Sequence, residues 1–264
     1  MADPARTLPP PSRALITGAG GGFGRAMAEC FVHAGMRVAL NGRNPETLSR
    51  VSARLRDLGG QVLELPGDAG DEATVRGALD RIVAFWGGVD VVVDNAGVGG
   101  CAGPLWSTPT DQWWDGFGNN VRTTVTTLAA AVPVLIASGG GRLVHISSAA
   151  GVEGWPHASA YAAAKAAGIS LCRDLARELA REPVKVFAFH PGILRTGLTE
   201  AVLRQPGGDR WHRLHAAWFT RQIRDGRTVP VPVAAGAVLA LARGAYDGSS
   251  GRYLTMDSLS DPLA

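Results

Sequence analysis

The sequence predicts a single α/β domain, built as a doubly wound parallel sheet with helices on both faces. Three observations predict it. Short apolar strand segments alternate with amphipathic helical segments, a glycine-rich turn follows the first strand, and no linker-like segment interrupts the alternation. Continuous apolar strands are typical of parallel sheets covered on both faces. We expect the domain to span residues 13–264 of the 264-residue chain.

Composition narrows the possible function classes. A hydrophobic content of 46% supports a large core, and a net charge of +3 without a basic stripe argues against nucleic-acid binding. The three cysteines, Cys30, Cys101 and Cys172, are widely spaced and fit neither a disulfide nor a metal pattern. We therefore expect no metal site and a reducing, cytoplasmic location.

The sequence predicts neither a signal peptide nor a membrane-spanning segment. Residues 1–12 contain four prolines and no apolar core, which predicts a flexible N-terminal arm and not a signal peptide. The longest continuous apolar stretch, residues 229–242, is too short to cross a bilayer. We therefore expect no membrane association.

The first strand and the turn after it predict a nucleotide site. Residues 13–17 form an apolar strand, a run of five glycines in seven residues follows, and an amphipathic helix runs to Ala34. Gly18 would allow the tight turn, Gly22 the approach of a pyrophosphate, and Gly24 close packing of helix on strand. The helix N-terminus would offer free N–H groups and a positive dipole end to the phosphates. This unit predicts a Rossmann-type fold.

The remaining elements follow from apolar runs and their flanking residues. Asn44 and Pro45 are a typical N-cap and first helical residue, and Gly59 and Gly60 end that helix. The predicted strands two to seven cover residues 37–40, 61–65, 89–93, a run ending at 147, 185–190 and 252–254. The helices between them begin near residues 45, 71, 109 and 159.

Tyr161 and Lys165 are the clearest candidates for chemistry. They lie four residues apart, so a helix brings both side chains to one face. A free phenol ionises near pH ~10, and a neighbouring ammonium stabilises its phenolate. The chain has only two lysines among its 26 lysines and arginines, so a lysine one helical turn from a tyrosine stands out. Alone, the pair would favour a simpler interpretation, a tyrosine and a lysine on a solvated helix face.

Ser148 strengthens this interpretation. It follows the fifth strand and precedes Tyr161 by thirteen residues. The carboxyl end of a parallel strand lies beside the first turns of the next helix, so both hydroxyls could reach one substrate oxygen. Ser147 is the rival residue; its alternate facing on the strand makes Ser148 the preferred candidate.

The ordered motifs resemble the short-chain dehydrogenase/reductase family, in its compact single-domain branch. The resemblance runs from about Arg13 to about Asp257. The motifs that carry it are Thr17-Gly18-x-x-x-Gly22-x-Gly24, Asn95-Ala96-Gly97, Asn120, Ser148, Tyr161-x-x-x-Lys165 and Pro191-Gly192. One departure is Asp94, where the family usually has a first asparagine. We expect that difference to alter strand support without loss of the site.

The resemblance implies roles for these residues. Ser148 and Tyr161 would bind the substrate carbonyl oxygen, with Tyr161 as proton donor or acceptor and Lys165 also holding the nicotinamide ribose. Asn120 would hold a relay water through its main-chain carbonyl; Asn119 is the competing assignment. The other residues that the resemblance assigns to cofactor binding are Phe23, Asp68, Ala69, Asn95, Ala96, Gly97, Pro191, Gly192, Ile193 and Thr196.

The second strand indicates which dinucleotide is used. An acidic residue at its end binds the adenosine ribose of NAD, whereas a nearby arginine accepts the 2′-phosphate of NADP. Here Gly42 stands where an acidic residue would bind the ribose of NAD, and Arg43 follows it. Arg43 can bind a phosphate bidentately or stack on adenine. We therefore expect NADP(H) to be preferred, with NAD(H) as the alternative.

Substrate and assembly are less constrained by the sequence. Residues 197–229 form the predicted substrate lid, and Trp155, Trp211 and Trp218 predict an aromatic pocket for a bulky apolar ketone or alcohol. The tryptophans could instead be core or interface residues. By resemblance, helices near residues 117–138 and 159–180 would form a homodimer or homotetramer. A lyase or cyclase that retains the nucleotide, or a non-catalytic dinucleotide-binding protein, are the alternative functions.

Overall fold

A computed structural model describes residues 12–204 and 209–260. Its seven strands form one parallel sheet in the order β3-β2-β1-β4-β5-β6-β7. The strands are β1 (Arg13–Ile16), β2 (Arg37–Gly42), β3 (Val62–Pro66), β4 (Val91–Asp94), β5 (Gly141–Ile146), β6 (Val184–His190) and β7 (Tyr253–Thr255). The predicted fold class is therefore confirmed. Residues 1–11, most of the predicted arm, lie outside the described residues.

Helices cover both faces of the sheet. They are α1 (Gly22–His33), α2 (Pro45–Asp57), α3 (Glu72–Trp86), α4 (Thr110–Ala137), α5 (Ser159–Glu178), α6 (Gly197–Arg204), α7 (Arg210–Arg224), α8 (Val231–Ala242) and α9 (Met256–Ser260). One buried apolar layer joins the sheet to α1, α2 and α8, and the other joins it to α3, α4 and α5. The predicted lid contains α6 and α7.

Local chemistry accounts for several boundaries. The Asn44 side chain accepts from the Thr47 backbone N–H at 3.0 Å, so it caps α2 as predicted, with Pro45 first in the helix. The Asp71 carboxylate caps α3 in the same way.

Several predicted ends differ from the observed ones by one or two residues. Strand β2 continues two residues further, to Gly42, and β4 begins two residues later, at Val91. Strand β5 stops at Ile146, one residue early, and α5 stops at Glu178, two residues short of the predicted range 159–180.

Chain order reverses between β1 and β4, which are neighbours in the sheet although two strands separate them in sequence. Their helices therefore leave in opposite directions and open a crevice at the carboxyl ends of the strands. The glycine turn after β1, the segment after β4 and the serines after β5 all lie at this edge. The fold thus brings the sequence motifs to one place.

Helix α4 is the one helix of the described chain that is long and apolar enough to pass a length-and-composition test for crossing a membrane. Residues 229–242, the longest continuous apolar stretch of the sequence, include the shorter apolar helix α8. In the structure, 44% of the most apolar 18-residue window of α4 is buried within the fold. Its buried side chains include Leu128 and Leu135, which belong to the core layer shared with α3 and α5.

Candidate active site

The glycine turn after β1 needs the conformations and the space that only glycine provides. Gly18 and Gly22 have positive φ angles of 65° and 53°. A Cβ on Gly24 would lie 2.3 Å from the Gly18 carbonyl oxygen, so α1 packs against the turn at a distance that no side chain permits. Phe23 is buried at the start of the same helix and anchors it to the core.

The segment after β4 is held to this turn. The Asn95 side chain donates to the Thr17 carbonyl oxygen at 2.9 Å, and the backbone N–H groups of Asn95 and Ala96 both donate to the Thr17 hydroxyl at 3.0 Å. A Cβ on Gly18 would lie only 3.0 Å from the Ala96 Cα. The ends of β1 and β4 therefore form one rigid backbone cradle, with Gly97 exposed at its rim.

The end of β2 supplies an unpaired cation. Arg43 is exposed and makes no hydrogen bond or ion pair with the residues that the structure describes. A Cβ on Gly42 would lie 3.2 Å from the Leu48 side chain and 3.5 Å from the Gly20 nitrogen, so this position faces the glycine turn. Beyond β3, the exposed Asp68 accepts from the Gly70 N–H at 2.8 Å, which shapes the loop beside the buried Ala69.

The segment after β6 closes the cradle from the other side. Gly192 has a φ of 80°, and Ile193 forms a parallel bridge with Thr228. The Thr196 Cβ lies 3.7 Å from where a Cβ on Gly22 would stand. The loop from Pro191 to Thr196 thus reaches back to the glycine turn. The positive-φ glycines, the absent side chains and the free helix N-terminus fit the phosphates of a dinucleotide.

Ser147 and Ser148 face opposite sides. Ser147 is buried, and its hydroxyl finds no hydrogen-bond partner within the described chain. Ser148 is half-buried, and its hydroxyl oxygen accepts from the Ala150 backbone N–H at 3.2 Å. That contact orients the Ser148 hydroxyl and leaves its proton available. The structure therefore favours Ser148 as the serine that faces the crevice.

Tyr161 and Lys165 lie one turn apart near the start of α5. The Lys165 ammonium nitrogen lies 5.7 Å from the centre of the Tyr161 ring. It also donates to the Ile146 carbonyl oxygen at 2.8 Å, and the lysine is only 8% exposed. This bond to the last residue of β5 fixes the long lysine side chain beside the strand ends. The charge is therefore held next to the phenol within the protein interior.

Asn120 lies on α4 and is buried, whereas Asn119 is exposed. The Asn120 side chain accepts from the Val98 N–H at 3.1 Å and donates to the Val98 carbonyl at 3.0 Å. Its backbone carbonyl accepts from the Thr123 hydroxyl at 2.9 Å. The side chain thus locks the segment after β4 to α4. This geometry favours Asn120 over Asn119 as the residue that belongs to the site.

The lid helix α7 lies against the segment between Ser148 and Tyr161. The rings of Trp155 and Trp218 are 4.8 Å apart and meet edge to face. Those of His157 and Trp211 are 4.6 Å apart and stacked. His157 is the one non-glycine residue with a positive φ, 66°, in the described ranges. Its conformation directs the ring to Trp211.

One pair of buried residues was not predicted as part of the site. The His145 ring nitrogen Nδ1 lies 2.7 Å from Asp94 Oδ2, and both side chains are almost fully buried. The sequence indicates only a change in strand support for Asp94, although its departure from the family pattern was itself a signal. Only the observed register of β4 against β5 shows that Asp94 and His145 are paired.

Comparison with known proteins agrees with this geometry. The family model described as short chain dehydrogenase matches residues 12–207. The chain is 33% identical to 2-(R)-hydroxypropyl-CoM dehydrogenase of Xanthobacter autotrophicus over 196 residues, which are 73% of this chain and 78% of that protein.

Two solved structures share the whole fold. An NAD+-bound xylitol dehydrogenase superposes with a TM-score of 0.83 at 27% identity, covering 93% of this chain and 97% of that one. A gluconate 5-dehydrogenase from Burkholderia cenocepacia, in complex with NADP and tartrate, gives a TM-score of 0.81 at 29% identity over 94% of both chains. The chain belongs to the short-chain dehydrogenase/reductase family of oxidoreductases.

Proposed function

We propose that this oxidoreductase interconverts a ketone and a secondary alcohol, with Tyr161 as the proton donor and acceptor. One observation carries the proposal. A nearly buried ammonium, that of Lys165, lies 5.7 Å from the Tyr161 ring at the edge of the sheet where Ser148 is accessible. A phenol beside a fixed cation can give up its proton near neutral pH, which an isolated phenol does not.

The chain's own residues would bind and protonate the substrate. The Ser148 and Tyr161 hydroxyls donate hydrogen bonds to the carbonyl oxygen and orient it. As negative charge develops on that oxygen, Tyr161 transfers its proton, and Lys165 stabilises the phenolate that remains. In the opposite direction Tyr161 accepts the alcohol proton. The bound nicotinamide supplies or accepts the hydride. The Asn120 carbonyl and Lys165 would hold the water through which Tyr161 regains its proton.

We propose NADP(H) as the preferred dinucleotide. Gly42 offers no carboxylate to the ribose, and the first acidic residue after β2, Glu46, already belongs to α2. Arg43 is exposed beside the glycine turn without a protein partner among the described residues, so it can bind a 2′-phosphate. Similar proteins bind either dinucleotide: the xylitol dehydrogenase holds NAD+ and the gluconate 5-dehydrogenase NADP.

The substrate that fits this site best is a bulky apolar ketone or alcohol. Support comes from the rings of Trp155, Trp218, His157 and Trp211, which join the lid to the segment between Ser148 and Tyr161. A wall of this kind offers a large apolar contact area beside the segment that leads to Tyr161. We also propose a homodimer or homotetramer formed through α4 and α5, on which Trp114, Val125 and Leu171 are exposed.

Turnover with a ketone panel tests the proposed function. The purified protein is mixed with NADPH and, separately, with aryl ketones, cyclic ketones and small 2-keto acids, and loss of the reduced nicotinamide absorbance is followed. We expect turnover with the aryl or cyclic ketones, and Ser148→Ala serves as the matched variant with a reduced rate. Binding of NADPH without turnover of any ketone or alcohol would instead support a lyase, a cyclase or a non-catalytic protein.

A further inference from the structure

Asp94 and His145 are direct neighbours across two parallel strands, at the end of β4 and near the end of β5. The side chains are 1% and 2% exposed, and His145 Nδ1 lies 2.7 Å from Asp94 Oδ2. The next residue of β5, Ile146, presents the carbonyl that holds the Lys165 ammonium. The pair therefore lies next to the backbone that holds the lysine, and the Lys165 charge acts on the pKa of His145.

The chemistry of the pair fixes its protonation state. An ionised carboxylate only accepts hydrogen bonds, so Nδ1 of His145 carries the proton that joins the two groups. Burial lowers the pKa of His145, the bond to Asp94 opposes this, and the Lys165 charge lowers it further. The imidazole is therefore neutral, and with Asp94 ionised the pair as a whole carries a single negative charge.

Helix α5 packs closely over the His145 ring and gives it no hydrogen-bond partner. A Cβ on Gly168 would lie 2.4 Å from His145 Nε2, so the helix passes directly over the ring. Neither His145 Nε2 nor Asp94 Oδ1 has a hydrogen-bond partner in the part of the chain that the structure describes. No donor or acceptor there competes for the pair. Asp94 and Lys165 both act electrostatically on the Cys172 thiol of α5, so the two groups share one buried region.

The other titratable residues that the structure describes around the pair are neutral or exposed. On α5, the Cys172 thiol stays neutral because burial raises its pKa, and it interacts with both Asp94 and Lys165. On β6, burial lowers the pKa of His190, so that ring is neutral too. Asn120 on α4 is uncharged. The charged residues of α4 and of the segment after β5 are exposed: Asp111, Asp115, Arg122 and Glu153.

We propose that Asp94 is a positioning residue whose buried negative charge, held by His145, offsets the Lys165 ammonium and so makes Tyr161 a weaker acid. This inference rests on the proposed function. An asparagine at position 94 preserves the shape and the acceptor for His145 Nδ1 but removes the charge. The Lys165 ammonium is then no longer offset, and the phenolate of Tyr161 is stabilised more strongly.

The pH dependence of alcohol oxidation tests this at saturating NADP+. Tyr161 must be ionised to act as the base, so kcat/KM rises with pH, and its midpoint reports that ionisation. We expect Asp94→Asn to move the midpoint downward by about one pH unit. The matched control is Asp90→Asn, the same change just before the opposite end of β4, where the carboxylate pairs with Arg13 at 2.6 Å. We expect the control to leave the midpoint unchanged.

A second measurement does not depend on the stability of the variant. Nitrogen NMR of the histidine rings in the wild-type protein should show His145 neutral, with its proton on Nδ1, at pH ~7. An imidazolium at this pH, or an unmoved midpoint in Asp94→Asn, overturns the inference while wild-type turnover still supports the proposed function. Absence of wild-type turnover would refute the function instead, and the NMR result would still report on the pair.

Discussion

The indole rings of Trp155 and Trp218 meet edge to face at 4.8 Å, which joins the lid helix to the segment that leads to Tyr161. Such a pair contributes about 0.5–1.5 kcal/mol beyond the area it buries. The Trp218 ring also lies 4.9 Å from the ring of Phe219, its neighbour in sequence, and meets it edge to face. Aromatic contact therefore joins α7, within the predicted lid, to that segment.

Trp218→Ala should raise KM for a bulky ketone by about 2- to 10-fold, because α7 loses the contact energy of the Trp155–Trp218 pair. We expect kcat to change less, since Tyr161 and Lys165 are untouched. Steady-state kinetics with an aryl ketone measures both constants. Phe85→Ala is the control, because Phe85 is exposed on α3. An unchanged KM in Trp218→Ala, or an equal change in the control, would contradict a substrate-binding role for the lid.

Arg43→Ala should weaken NADPH binding by about 10- to 100-fold, the effect of losing a charge-assisted hydrogen bond to phosphate. NADH binding should change little, because NADH has no 2′-phosphate. Titration of nicotinamide fluorescence measures both dissociation constants. Arg50→Ala, an exposed arginine of α2, is the control. Equal losses for NADPH and NADH would show that Arg43 stacks on adenine and does not read the phosphate.

Two histidines with lowered pKa values should make the fold sensitive to mild acid. Burial lowers the pKa of the buried His145 and of the half-buried His190, so both are neutral in the folded protein near pH ~7. The unfolded chain binds these protons once the pH falls below ~6.5, and each histidine then removes at most about 1.4 kcal/mol of stability per pH unit. Aspartates with lowered pKa values, such as Asp90, lose their contribution only at lower pH, near ~4 and below.

Urea unfolding between about pH 7.5 and about pH 5.5 measures this loss. His145→Gln should flatten the dependence, whereas His33→Gln, which removes an exposed histidine, should leave it unchanged. A free energy of unfolding that stays constant over this range in the parent protein would contradict the burial of neutral rings.

The sequence predicted the features that depend on local chemistry. The glycine turn, the Asn44 cap and the alternation of Ser147 and Ser148 each follow from neighbouring residues, and the structure agrees. The sheet class followed from the continuous apolar strands. These rules act over one strand or one helical turn, so they could also identify the candidate site residues and the edge of the sheet where they meet.

Contacts between distant segments could not be predicted. Asp94 and His145 are 51 residues apart in sequence, and their bond exists only because β5 pairs with β4 in one register. The contact of His157 with Trp211 needs a positive φ that no pattern indicated. The sequence favours a pocket role for the tryptophans no more than a core or interface role, because aromatic side chains serve all three.

Tyr161→Phe tests the central claim, that a phenol beside a buried ammonium donates the proton. With NADPH and a ketone that the parent reduces, we expect a loss of about 100- to 10,000-fold in kcat/KM, because general acid catalysis is removed. NADPH binding should stay near the parent value. Tyr246→Phe, which removes a hydroxyl that donates to the Leu259 carbonyl, should keep full activity. A Tyr161→Phe rate within a few-fold of the parent would contradict the account.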